Sequence, residues 1–185
     1  MISFIADILI GRAKRRPHEP LADYMARFWV RKQNEAKSNW CARIHNIKRS
    51  DQDRALHDHP WPNASLVLKG GYWEVVPGIY QSTREANFAG ATSYFLELHK
   101  LMHEAGGKAV TAKQRRELAR MGVHWRGPGA FVRRKAAALH RLVIPKGGEA
   151  WSLFVMGPKC REWGFATPEG WVHNIVYTQA LGRDV

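Results

Sequence analysis

The chain has 185 residues, 45% of them hydrophobic and 24% charged, which fits one domain with some decoration and excludes wholesale disorder. Its formal charge of +13 points to an anionic partner: a small acid, an acidic protein or a nucleic acid. A basic surface also serves solubility alone, and the lysines and arginines are spread over several segments rather than gathered in one tract.

The first residues, MISFIADILIGRAKRR, are apolar and then basic, the reverse of the charge order of a signal peptide. Asp7 interrupts the apolar stretch, which is too short to span a bilayer, so no membrane partner is expected. Residues 1–40 read as a helical arm. Phe4, Ile5, Ile8 and Leu9 fall at helical spacing, and after Pro17 and Pro20 the set Leu21, Tyr24, Met25, Phe28 and Trp29 repeats it. Such an arm docks on the main domain or meets a second copy of the chain in a homodimer.

From Trp40 the pattern turns to strands. ARIHNI alternates, KRSDQDRA is a polar loop, and ASLVLKGGYWEVV reads as two short strands around Gly70-Gly71. Residues 82 to about 125 interrupt this with two helical stretches, ATSYFLELHKLMHEAGG and TAKQRRELARMGV, the second with Thr111 as its N-cap. Strand character resumes in AFVRRK, LHRLVI, AWSLFVMG, REWGF and WVHNIVY, with turns at Pro145 to Gly148 and at Gly157-Pro158. Many short strands with Gly/Pro turns predict a sandwich or barrel over residues 43–178, interrupted by a helical insertion. Two cysteines far apart, Cys41 and Cys160, cannot make a disulfide framework or a cysteine-rich zinc site, which suits a reducing cytoplasm.

The chemistry lies in the histidines. His57 and His59 stand at i and i+2, so on a strand both rings share a face, with Asp58 turned the other way. His140 sits within LHRLVI, with Leu142 and Ile144 on its own face and Arg141 on the opposite one. On residues alone, two histidines on one face and a single one on a later strand are either buried core groups or metal ligands. His99 and His103, at i and i+4, lack the glutamate placement of a metalloprotease helix. His45, His124 and His173 carry no assignment. No glycine-rich phosphate loop and no nucleic-acid motif accompanies the basic clusters.

The pattern resembles the metal site of the cupin superfamily, whose first motif runs G-x5-H-x-H-x(3,4)-E-x6-G and whose second runs G-x5-P-x-G-x2-H-x3-N. His57, His59 and Gly70 match the first, and Gly129 and His140 the second. Asp51 stands at the first glycine, Asn63 at the glutamate, Lys135 at the proline, Ala137 at the second glycine and Ile144 at the asparagine. RSDQDRALHDHPW, LVLKGGYWE, LHRL and WSLFVMGPKCREWGF are similar, more closely, to small bacterial and phage cupin-like proteins that bring no established reaction. The resemblance spans residues 43–172 outside the helical block. It implies a mainly β fold, the cupin-type double-stranded β-helix or jelly-roll barrel, with an N-terminal helical arm and a helical insertion.

The resemblance also implies a divalent transition metal held by His57, His59 and His140, with Asn63 or Glu74 tuning it in place of the missing carboxylate. Three neutral imidazoles suit Fe(II), Zn(II), Ni(II), Mn(II) or Cu(II). Similarity to the ligand set of thiol dioxygenases favours Fe(II) and a small anionic substrate. A non-catalytic barrel that binds an anionic ligand or nucleic acid is the alternative. Trp61, Tyr72 and Trp163 are expected to wall the pocket, and Arg161 to meet an anion.

Overall fold

In a computed structural model of the chain, the described residues are 2–16, 18–21, 23–51, 55–85, 93–107 and 109–182. The order of elements is α1 (Ile2–Ala13), β1 (His18–Leu21), β2 (Met25–Arg31), β3 (Cys41–Ile47), β4 (Leu56–His57), β5 (Asn63–Gly70), β6 (Tyr72–Val75), α2 (Ile79–Glu85), α3 (Ser93–Glu104) and α4 (Ala112–Arg120). Then follow β7 (Val123–Arg126), β8 (Phe131–Arg134), β9 (Arg141–Val143), β10 (Ala150–Met156), β11 (Gly164–Thr167), β12 (Gly170–His173) and α5 (Asn174–Ala180). Part of the expected insertion (86–92) and part of the SDQD loop (52–54) lie outside the described residues.

Strands dominate, and every described pairing is antiparallel. One sheet has the order β1-β2-β3-β10-β5-β8. Two three-stranded pieces, β12-β11-β4 and β7-β6-β9, complete the barrel. A single bridge joins them: the His57 amide donates to the His140 carbonyl and the His140 amide to the His57 carbonyl, both at 2.9 Å. The result is a second six-strand surface facing the first, the mainly β jelly roll expected.

Alternation along the strands explains the layers. On β3, Arg43, His45 and Ile47 face inward, while Ile44 packs outward on α1. Ala6, Leu9, Ile10 and Ala13 of α1 cover Phe28, Leu68 and Trp151 on the outside of the first sheet. On the second surface, Trp73, Val75, Val123 and Val143 point outward into a cluster with Leu98, Met102 and Leu118 of the helical insertion. Their strand neighbours Tyr72, Glu74 and Leu142 point inward. A third cluster of Ile47, Val67, Tyr72, Leu142, Ile144 and Ala150 closes one end of the barrel interior.

The hairpin between β5 and β6 turns at Gly70, whose φ of +70° suits glycine and whose Cβ would fall 1.9 Å from the Glu149 carbonyl oxygen. Thr111 caps α4 as expected: its hydroxyl accepts from the Gln114 amide and the Gln114 side chain accepts from the Thr111 amide, a capping box.

Two expectations are corrected. The stretch read as a helix across Leu21 to Ala36 instead holds the end of β1 and all of β2, with Leu21↔Met25 between these two strands and Phe28↔Ile44 between β2 and β3. The strand is covered on both faces, which hides its alternation: Ala26 and Phe28 lie under α1, while Met25 and Arg27 face the interior. Pairing with β3 gives those backbone groups partners in the sheet, and the tertiary context outweighs the local periodicity. Only residues 2–13 of the expected arm are helical, and the sheet begins at residue 18 rather than 43. At the other end, WVHNIVY divides into β12 and α5, with the His173 ring accepting from the Ile175 amide at the helix start.

Trp73 is fully buried and donates from Nε1 to the Ala105 carbonyl at 2.9 Å, tying the insertion to the barrel. Trp73→Ala is expected to cost about 3–5 kcal/mol of unfolding free energy, and Trp73→Phe less. Urea titration of the two variants checks the order; equal losses would show that a phenyl ring recovers none of the stability and that the whole effect lies in the indole N–H and its extra volume.

Candidate metal centre

The bridge that closes the second sheet also brings the three histidines together. His57 ends β4, His59 follows it, and His140 lies immediately before β9. Their ring centroids form a triangle of 4.9, 5.1 and 5.3 Å. One nitrogen from each lies within 4.8 Å of the other two. The closest pair is His59 Nε2 and His140 Nε2, at 2.9 Å. Two nitrogens bound at right angles to one ion, each at about 2.1 Å, would lie about 3 Å apart, so the spacing fits a shared metal.

Asp58, between the two ligand candidates, has a different task. It is buried on the opposite face, where it accepts from the Gly164 amide at 2.8 Å, from Trp171 Nε1 at 3.0 Å and from Arg161. Together with the Asp58 amide donating to the Gly164 carbonyl, these bonds fix β4 on β11 and β12. The His-x-His segment is thereby held in register from behind. Arg161 belongs to this bracket and stacks on Trp171; it does not line the cavity, so its expected role toward an anion is not what its placement serves.

Glu74 sits on the inner face of β6 behind His140 rather than among the three rings. His140 Nδ1 is 3.1 Å from Glu74 Oε1, which fixes Nδ1–H as the donor and leaves the Nε2 lone pair toward the cluster. The same carboxylate accepts from Arg126 Nε and Arg134 Nε, each at 2.7 Å. Burial alone would raise its pKa; the His140 hydrogen bond and the two guanidinium charges outweigh burial and hold it far below the usual range. Asn63 is buried beside Arg134, whose Nη1 lies 3.5 Å from Asn63 Oδ1, and it is not one of the clustered donors.

Burial favours the neutral ring at His59 and His140, the form that binds a metal. Burial lowers His140 to about 4, with Glu74 opposing and His57 and Arg134 reinforcing the shift. Burial, and then the neighbouring His140 and His57, lowers His59 well below its ordinary value. With His140 Nε2 unprotonated, His59 Nε2–H bridges the 2.9 Å gap; an ion would take the place of that proton. The His57 Nδ1 lies 3.8 Å from Asp51 Oδ2, a carboxylate that also accepts from the Leu142 amide at 2.7 Å.

The cluster opens into a cavity of about 600 Å³ between the sheets. Trp61, Tyr72 and Trp163 line it with Phe154, Met156 and Phe165. The sequence does not single out the polar part of the wall, Arg27, Arg43, His45 and Arg49: Arg27 lies in a stretch with helical spacing, and His45, though on an expected strand, carries no assignment there. Alternation along ARIHNI places Arg43 and His45 on one face and is the signal that finds them.

The paired antiparallel sheets, with two histidines on an early strand and one at a late strand facing a common interior, decide the architecture. It is a cupin-type fold. No family model matches the sequence, and no curated protein matches it. Similar solved structures include the polyketide cyclase RemF from Streptomyces resistomycificus, with 14% identity over 80% of this chain and 78% of that one, TM-score 0.46. Hydroxypropylphosphonic acid epoxidase from S. wedmorenis is 15% identical over 78% of this chain and 56% of its own, TM-score 0.44. A protein from Ralstonia eutropha JMP134, described as having a cupin-like fold, is 8% identical over 81% and 64%, TM-score 0.43. The chain spans just over half of the epoxidase.

Asp58→Ala is expected to cost about 1–3 kcal/mol, because it leaves the Gly164 amide and Trp171 Nε1 without their acceptor, while the half-buried Arg161 can turn to solvent. Calorimetric unfolding measures the loss; a change below about 1 kcal/mol would show that the bracket does not hold β4. His45 gives a second check. Burial, then Arg43 and Arg27, lowers it from 6.5 to about 3. It is neutral when folded and takes up a proton on unfolding between those values, so its contribution to stability rises with pH across that window and is lost as pH falls. His45→Gln is expected to flatten the slope of unfolding free energy against pH between about 4 and 6. An unchanged slope contradicts the assignment.

Proposed function

We propose that this cupin-type barrel is a metal-dependent enzyme whose His57, His59 and His140 hold one divalent transition ion, Fe(II) ahead of Zn(II), Ni(II) or Mn(II), and that it acts on a small anionic molecule in the manner of a non-haem dioxygenase. The observation that carries the reading is the convergence of three imidazole nitrogens on a cavity large enough for a small organic molecule. Each side chain has a separable task. His140 is oriented by Glu74, so its Nε2 offers a lone pair without rotation. His59 would present its Nε2 lone pair to an ion as the neutral tautomer with the proton on Nδ1, and His57 lies against Trp163 and Phe165, at ring-centroid distances of 6.2 and 6.0 Å.

An ion in this place supplies Lewis acidity and, when it is Fe(II), electrons for dioxygen chemistry. Three protein donors leave positions open for a substrate atom. Among the described residues no carboxylate joins the three donors, so an ion held there would keep its full charge and favour an anionic ligand. Trp61, Phe154, Met156 and Trp163 exclude water around an apolar body.

Elemental analysis of the purified protein, and calorimetric uptake of Fe(II), Ni(II) and Zn(II), test this directly. One ion per chain is expected in the unaltered protein and none in His57→Ala, His59→Ala or His140→Ala. Glu74→Gln keeps the ligands and is expected to weaken uptake about 10- to 100-fold. Protein that neither carries a transition metal nor takes one up would end the enzyme reading as stated.

A further inference from the structure

The wall of the cavity carries a group of polar atoms that the three histidines do not use. Arg27 and Arg43 lie on neighbouring inner faces of β2 and β3, and both line the cavity. They share one carboxylate, Glu19, on the edge strand β1. Its Oε2 is 3.9 Å from Arg27 Nη2 and 3.8 Å from Arg43 Nη2, beyond hydrogen-bond length, while its Oε1 is taken by Trp29 Nε1 at 2.8 Å. Arg43 stacks on the Trp29 ring, 3.7 Å from its centroid, which fixes the guanidinium plane. Its Nε is buried and has no acceptor among the described residues; the same holds for His45 Nε2 and for Trp61 Nε1, both on residues of the same cavity wall. Buried donors without acceptors are uncommon in folded proteins and ask for an explanation.

The other arginine charges of the wall are answered differently. Arg134 is bonded to Glu74. Arg49 lies over Tyr24, 5.6 Å from its ring centroid, and Tyr24 is tied to Asp51. Two guanidiniums facing one half-exposed, already engaged carboxylate leave about one positive charge uncompensated, and the field of both arginines reaches His45 and helps keep it neutral. Phe154 connects this region to the metal candidates: its ring stacks on His45 at 4.8 Å and meets His59 at 6.1 Å. The two polar regions thus stand about one aromatic ring apart, separated by apolar wall.

We infer that Arg43, with Arg27 and His45 beside it, forms an anion subsite that binds the carboxylate of a small monocarboxylic acid, whose apolar body lies along Phe154 toward the three histidines. This deepens the proposed function, on which it rests only for which end of the ligand reacts. A planar carboxylate matches the fork of a guanidinium, and a single charge matches the single uncompensated one. The acid's body must be apolar, because the wall between the two polar regions offers Phe154, Met156 and Trp61. Specificity follows: an amide or alcohol of the same shape leaves the guanidinium charge buried and unanswered.

The test uses the full chain, both as purified and after chelation, titrated with 3-phenylpropionate, 3-phenylpropionamide and inorganic phosphate while tryptophan emission is followed. Saturable binding of the acid is expected in both preparations, with the amide and phosphate each weaker by about tenfold or more. Arg43→Gln is expected to remove the preference for the acid, Arg43→Lys to keep part of it, and Arg116→Gln, on the exposed face of α4, to leave it unchanged. Should Arg43→Gln melt early, Arg27→Gln and the comparison of acid with amide on unaltered protein still decide. Equal affinity for acid and amide, no saturable binding of the acid up to millimolar concentration, or an unchanged preference in folded Arg43→Gln would overturn the subsite. Because the chelated protein is measured too, a failure to take up metal would end the enzyme reading while leaving this result standing.

Discussion

Two backbone hydrogen bonds between His57 and His140 hold the structure's logic together. They are the only join among the described strands between β12-β11-β4 and β7-β6-β9, and they make one continuous surface of two pieces. A strand pair places opposed residues about 4.5–5.5 Å apart. The same contact that closes the sheet therefore sets two imidazoles side by side, and His59 follows from alternation. The metal candidates are not decorations on a finished barrel; their backbone is part of what finishes it.

Around that join the barrel is asymmetric in charge. Behind His140 lies a fully answered network, Glu74 with Arg126 and Arg134, in which a buried carboxylate stays ionised because every neighbour is a donor. Across the cavity, Arg27 and Arg43 meet one distant carboxylate. The first arrangement stiffens and aims a ring, while the second leaves an attraction unsatisfied. Buried ion networks of the first kind contribute definition more than stability, since desolvation offsets much of their attraction.

Much of the fold was legible because alternation is a strong signal where a strand has one face inside. β5, β6 and β10, the Gly70 turn and the Thr111 cap all follow from residue type and spacing. The N-terminal strands were not legible for a definite reason: Leu21, Tyr24, Met25, Phe28 and Trp29 fit a 3.6-residue period, whereas in the sheet Met25 and Phe28 are covered on opposite faces, so no two-residue alternation shows and only the pairing with β3 decides. The site divides the same way. His57, His59 and His140 stand where a motif can be laid over them, whereas Glu74 could be named but not given its task. Whether a buried glutamate binds an ion or aims the ring that does depends on which strand lies behind which, and spacing along one chain does not carry that. Arg161 shows the converse, an arginine near the cavity in sequence that is claimed by Asp58 from the far face.

The helical insertion leaves and returns to the barrel through strands that pair directly, Val75 with Val123 and Tyr72 with Arg126. However long the chain between them, it is topologically a hairpin loop, and its described helices rest on the outside of the sheet. The entropy of closing such a loop grows only with the logarithm of its length. Length alone therefore sets little limit on the segment; what it must supply is cover for Trp73, Val75, Val123 and Val143, which Leu98, Met102 and Leu118 provide. The insertion acts as an outer lining for a sheet whose other face belongs to the cavity.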